Sequence, residues 1–168
     1  MRCFIITIAA ASSASGTNRS IIHKDFSNGY RARINTGDQL EFIASGSNID
    51  YQTNLSVTLD TWIQLTVSHD SSGGSMYFNG ILITTNNVVA NSSSKPFGVV
   101  TSNTNNMIIG RLLASLATEY FVGNISIIRI YNRGLSSSEI TQNFNFNRNN
   151  SNNNNEKKHR LNLKIINF

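Results

Sequence analysis

Nine acidic side chains are spread along 168 residues, and four of them are glutamates: Glu41, Glu119, Glu139 and Glu156. Hydrolysis of a glycosidic bond needs two carboxyls facing each other, one to hold a proton and one to attack or to activate water. On a strand, residues two or four apart project to the same side, so such a pair should show at that spacing. None of the four glutamates has a carboxylate neighbour there, and the catalytic reading falls away. Cys3 with His23 or His69 would be the raw material for a thiolate–imidazole pair, but no flanking motif supports it. A lone cysteine also excludes an intramolecular disulfide and a multi-thiolate metal site. No Gly-x-Ser-x-Gly elbow occurs, and no glycine-rich loop leads from a strand into a helix, as a phosphate cradle requires. Calcium takes six to eight oxygens. The aspartates that could supply them (Asp25, Asp38, Asp50, Asp60, Asp70) stand too far apart in sequence to form a set. Asp70, ahead of Ser71-Ser72-Gly73-Gly74, reads as a turn former, with calcium ligation as the alternative. Recognition of a sugar asks for an aromatic face beside amides or carboxylates. Tyr30 and Tyr51, the latter next to Asp50, are the candidates for that role; the competing reading is of ordinary strand-edge tyrosines.

Such residues must be held by β-structure. Charged residues make up 14% of the chain, against about 25% in an average soluble domain. Their place is taken by 25 asparagines and 22 serines, residues of turns rather than of helical bundles. The length fits one domain. Of the net charge of +5, nearly all sits in the last 21 residues, where Arg148, Lys157, Lys158, Arg160 and Lys164 face only Glu156. The basic excess therefore belongs to a tail, for solubility or loose contact with a polyanion. Only the terminal Phe168 accompanies these cations, so no stacking platform for single strands exists and no specific nucleic-acid binding is expected. The chain contains no apolar run of transmembrane length. Residues 1–15, with Arg2 ahead of a short apolar core, fit either a minimal signal peptide or a first strand. Five Asn-x-Ser/Thr sequons match the number that chance supplies, and carry no message about secretion.

Apolar residues recur at strand spacing. Phe4–Ala11 is a near-continuous apolar run and Ser20–His23 a shorter one. Tyr30–Ile34 and Gln39–Ala44 flank a Thr36-Gly37-Asp38 turn and form a hairpin. Asn54–Leu59 alternates, and Trp62–Ser68 alternates cleanly, with Ile63, Leu65 and Val67 toward a core and Gln64, Thr66 and Ser68 toward water. Asn79-Gly80 between two apolar runs supplies the two positive-φ positions of a type I′ turn, so Met76–Ile83 is a tight hairpin. Thr84–Asn105 reads as a long polar connection, and Met107–Gly110 and Phe121–Tyr131 as further strands. Ser136 as N-cap, Glu139 as its capping-box partner and Leu135 with Ile140 as a hydrophobic staple start one short helix over 136–142. The domain is placed at 1–147, an Asn-rich basic linker at 148–159 and a terminal strand at 160–168.

Three segments carry a family resemblance. Asp60-Thr61-Trp62-Ile63-Gln64-Leu65-Thr66-Val67-Ser68-His69-Asp70 resembles the W-x-x-V-A-V-T-x-D strand of laminin-G-like, concanavalin A-like domains. Ser75-Met76-Tyr77-Phe78-Asn79-Gly80 is similar to the L-Y-V-N-G hairpin that follows it. Ile108-Ile109-Gly110 and Phe121–Ser136, closing with Glu139-Ile140, resemble the family's final strand and helix start. The resemblance spans Phe4 to Phe146 and implies an all-β, concanavalin A-like jelly-roll β-sandwich of two antiparallel sheets. Glycoside hydrolases of this fold carry Glu-x-Asp-x-(x)-Glu on one strand, which is lacking here. What the resemblance implies is therefore a non-catalytic binding or adhesion module that meets a glycan or a surface protein through rim loops. The alternative is a structural or virion decoration subunit that packs on copies of itself or on a shell; both belong to an extracellular, cell-surface or virion setting. Relatives often hold one calcium at the rim, with Asp70 the candidate ligand, and imply no other cofactor. The family's opening strand has no counterpart ahead of Phe4–Ala11; the tail strand Leu161–Ile166 is expected to take its place, with a strand donated by a partner chain as the alternative.

Overall fold

The opening run is strand β1, Arg2–Ala10, and its residues are buried on alternate sides, as a continuous apolar run demands of a strand covered on both faces. In the computed structural model, residues 2–24, 29–44, 49–70, 73–83, 88–90, 104–112, 119–153 and 162–166 are described. They divide into two compact units, each built on one six-stranded sheet.

Unit 1 comprises Met1–Ala9, Thr61–Ile83 and Asn124–Phe168. Besides β1 it holds β6 (Ile63–Asp70), β7 (Gly73–Phe78), β8 (Ile81–Leu82), β11 (Gly123–Tyr131), the helix α1 (Ser137–Asn153) and β12 (Asn162–Ile166). The strand order is β12-β11-β1-β6-β7-β8. Strand β1 pairs antiparallel with β6, placing Phe4 opposite Val67 and Ile6 opposite Leu65 on one face, and Cys3 opposite Ser68 and Ile5 opposite Thr66 on the other. On that second face Cys3, Ile5 and Tyr77 join Tyr131, Leu135 and Ile140 in one apolar cluster. The helix thus lies on the side where the alternation of β6 predicts water. Gln64, Thr66 and Ser68 are buried, a correction whose cause is this cover. Ser68 answers its burial through its hydroxyl, which accepts from the Leu135 amide (2.9 Å) and donates to the Leu135 carbonyl (3.0 Å).

The helix starts as its sequence dictates. The Ser136 amide donates to Glu139 Oε2 (2.8 Å) and the Glu139 amide to Ser136 Oγ (3.3 Å), the two halves of a capping box. It runs on to Asn153 rather than stopping at 142, so the first part of the expected linker is helical. Asparagine is a weak helix former, and tertiary contacts make up the difference. Ile140, Phe144 and Asn147 recur at helical spacing on one side, with Ile140 fully buried and Asn147 nearly so. Asn143 ties the helix to β11, its Oδ1 accepting from Arg129 Nη1 (3.0 Å) and from the Tyr131 hydroxyl (3.3 Å). The added length has a topological result. Strand β12 pairs with β11 in parallel, Ile127 opposite Asn162 through Tyr131 opposite Ile166. Parallel neighbours need a crossover, and 17 residues of helix at about 1.5 Å each carry the chain back along the nine-residue β11. The tail does return to the sheet, as the outer neighbour of β11 and parallel to it.

Unit 2 comprises Ala10–Asp60 and Thr84–Gly123. It holds β2 (Arg19–Lys24), β3 (Tyr30–Ile34), β4 (Gln39–Ala44), β5 (Ile49–Ser56), β9 (Val88–Ala90) and β10 (Ile108–Ile109), in the order β10-β2-β3-β4-β5-β9. Strand β9 lies inside the stretch expected to be a plain connection. The β3–β4 hairpin is as expected: Asp38 takes φ +57, and Asn35 Oδ1 accepts from the amides of Gly37 and Gln39 at 2.9 and 3.0 Å. Tyr30, Ala32, Ile34, Leu40 and Phe42 form its apolar face, all buried.

Candidate functional site on the polar face of unit 2

Alternation along β3 sends Arg31 and Arg33 to the side opposite Tyr30, Ala32 and Ile34. Glu41 stands directly across from Arg33 in the hairpin register, and the Arg33 Nε donates to Glu41 Oε2. The other oxygen of Glu41 accepts from Asn35 Nδ2 at 3.0 Å. Glu119, which enters from far along the chain, lies 3.5 Å from Arg33 Nη1 and 3.7 Å from Arg31 Nη1, and accepts from Asn18 Nδ2 at 3.4 Å. Two guanidinium groups and two carboxylates are therefore interleaved on one sheet face, with an amide at each end. The side chains of Arg31, Arg33 and Glu119 keep 15–18% of their exposure and Glu41 keeps 8%. This partial burial places the pairs between surface ion pairs, which contribute little, and buried ones, whose disruption is costly.

Chemically the array is a rigid, nearly neutral set of planar donors and acceptors. Both glutamates are engaged by Arg33 instead of standing open opposite each other, unlike the two separated carboxyls of a hydrolase. Nor does the thiol offer a nucleophile. Burial pushes Cys3 up to about 12, against the lowering effect of its bond with Ser68, so at neutral pH it is a thiol and not a thiolate.

Of the residues singled out in sequence, Tyr30 is the clearest departure. It is 2% exposed, its ring stacked on Phe42 with centroids 6.4 Å apart, and its hydroxyl lies 3.5 Å from Met107 Sδ. Because Tyr30 alternates with Arg31 it faces the interior, and its ring presents no surface to a sugar. Asp50 and Tyr51 are on β5, with backbones opposite Ile43 and Phe42; their side chains lie outside the described residues. Asp70 ends β6 opposite Gly73, and its side chain too lies outside them. Among the described residues, no group of three His, Cys, Asp or Glu side chains could hold a metal ion. Asp38 is taken up by other partners: a hydrogen bond from Ser15 (2.5 Å) and the fully buried Arg19 hold its carboxyl below the usual range. Asp60 Oδ1 accepts from the Ser12 amide.

Arg31, Arg33 and Glu41 were within reach of sequence reasoning, since folding Tyr30–Ile34 onto Gln39–Ala44 about the turn puts Glu41 opposite Arg33. Glu119 and Asn18 were not, because no local pattern ties them to β3.

A family model described as the concanavalin A-like lectin/glucanases superfamily matches residues 7–141. Comparison with curated proteins finds no match. Among solved structures, the chain is similar to one described as a candidate carbohydrate binding protein from Bacteroides ovatus (TM-score 0.65, 18% identity, 84% of this chain). It spans only 40% of that protein's length. It is also similar to the CBM40 of the Ruminococcus gnavus IT-sialidase bound to α2,3-sialyllactose (TM-score 0.60, 13% identity, 85% of this chain and 82% of that one). A third likeness is to the binding domain of botulinum neurotoxin DC in complex with rat synaptotagmin II (TM-score 0.58, 15% identity, 86% of this chain and 35% of that one). At these identities the likenesses show the fold, a concanavalin A-like jelly roll. Among the described residues no helix is long and apolar enough to cross a membrane.

Proposed function

Because the chain belongs to the concanavalin A-like lectin/glucanases superfamily, we propose that it is a non-catalytic module that binds a glycan over the Arg31–Arg33–Glu41–Glu119 face of unit 2. The observation that carries this reading is the interleaving of two guanidinium groups and two carboxylates, braced by Asn18 and Asn35, on strands whose other face is locked in a core. Hydroxyl groups both donate and accept, and a fixed array of both functions recognises them with little ordering cost. Carbohydrate-binding neighbours on the same fold support the ligand class. The engagement of both glutamates with Arg33 supports binding without hydrolysis.

A glycan array is the test. Specific retention of one glycan class, lost in Arg33→Ala and in Glu119→Gln with the melting transition still cooperative, supports the assignment. Binding that survives both substitutions overturns it. A second reading, a structural subunit that packs on copies of itself, is favoured by the 74% exposure of Ile81 and 50% of Leu82 on the edge strand β8, since an apolar edge invites pairing. Light scattering separates the two: a defined oligomer that retains no glycan supports the structural subunit, and a glycan-binding monomer excludes it.

A further inference from the structure

Unit 1 carries a pocket of about 190 Å³ under α1, lined by Thr7, Trp62, Gln64, Asn79, Phe144 and Arg148 among others. We propose that it is a second binding site, taking a single pyranose ring. A cavity of roughly 150 Å³ holds benzene, and drug-sized ligands need about 300 Å³ or more, so the space suits one six-membered ring and little else. Two half-buried aromatic side chains, Trp62 and Phe144, supply faces for ring C–H groups. The polar wall decides against a plain aromatic guest. Gln64 is 2% exposed and its Oε1 has no hydrogen-bond partner among the described residues, while its Nε2 reaches Thr7 Oγ1 at 3.4 Å. A buried acceptor left unmade is costly, and a ring hydroxyl supplies the missing donor.

The pocket is also built. The Gln64 amide donates to Asn79 Oδ1 (2.8 Å) and the Asn79 amide to the Gln64 carbonyl (2.8 Å), fixing both residues. Gly80, at φ +77, lets Phe144 approach so closely that an added Cβ would meet its ring at 3.1 Å. The guanidinium of Arg148 lies 5.8 Å from the centre of that ring, at the mouth. This site shares with the preceding reading only the assumption that the ligand is a saccharide, and lies in the other unit.

Trp62 is the sole tryptophan, so its emission reports on the pocket directly. Titration of the full chain with D-glucose, D-galactose, N-acetylglucosamine and glucuronate at millimolar concentration should give a saturable change with at least one. Gln64→Met keeps the volume and removes the acceptor; it should leave the melting midpoint within a few degrees and weaken binding about tenfold. Arg148→Ala, at an exposed position, should weaken glucuronate more than the neutral sugars. Arg33→Ala should leave the emission titration unchanged, which separates failure of this site from failure of the polar-face site. No saturable change with any of the four sugars, a response to indole or phenol alone, or an unaltered affinity in Gln64→Met would overturn the proposal.

Discussion

Both units present an alternating strand with a polar side, and they treat that side in opposite ways. In unit 1 the polar residues of β6 are buried and the helix packs on that side, so Gln64 lines a small pocket and Ser68 anchors Leu135, just ahead of α1. In unit 2 the polar residues of β3 and β4 pair with one another and with Glu119. The same two-residue period is thus satisfied once by a covering element and once by charge pairing within the sheet. Alternation reports which residues share a face; it does not report what covers that face.

Four substitutions sharpen or break the contrast. The largest effect is expected from Ile140→Ala, which empties a fully buried site between helix and sheet. It should cost about 3 kcal/mol in denaturant unfolding, and a cost below about 1 kcal/mol would mean that α1 does not hold the cover in place. Arg33→Ala leaves Glu41 and Glu119 without their shared cation and should cost about 2 kcal/mol, between the surface and buried limits; double mutation with Glu119→Gln should recover part of it. Gly80→Ala forces a side chain into a left-handed conformation against Phe144 and should cost about 1–2 kcal/mol. A smaller loss would mean the hairpin can move away from the helix.

The smallest effect concerns the exposed cap. The bidentate bond from Arg133, helped by Ser136, lowers Glu139 from 4.5 to about 2. A carboxyl whose folded value is depressed contributes stability that is present above pH 4.5 and is lost as pH falls toward 2. Glu139→Gln should therefore lower the melting midpoint by no more than about 2 °C at neutral pH, and the difference should vanish near pH 2. A difference that persists there would assign the effect to the amide's poorer capping and not to charge.

Much of this is legible in the sequence itself. The hairpin at Asn79-Gly80 followed from a residue pair that tolerates positive φ, and both members show it, at +51 and +77. The capping box at Ser136 and Glu139 followed from spacing. What escaped were relations without a local period. The sequence predicts a helix that stops at 142 because its later residues are mostly asparagine; the bonds of Asn143 to Arg129 and Tyr131 and the burial of Asn147 extend it, and propensity registers neither. Tyr30 was a candidate binding residue because tyrosines suit sugars, whereas the phase of β3, set by Ala32 and Ile34, turns it inward. Glu119 joined Arg31 and Arg33 across nearly ninety residues. The buried Arg19, held by Asp38, ran against the rule that arginines stay outside.

The position of β1 has a consequence for how the molecule is made. It is an inner strand of its sheet, between β6 and β11, so its neighbours lie about sixty and one hundred and twenty residues downstream. A ribosome delivers that greasy segment ahead of both neighbours, and the second of them much later. Assembly of unit 1 is thus governed by the closing of very long loops, which slows the search and leaves β1 exposed to wrong pairings in the interval.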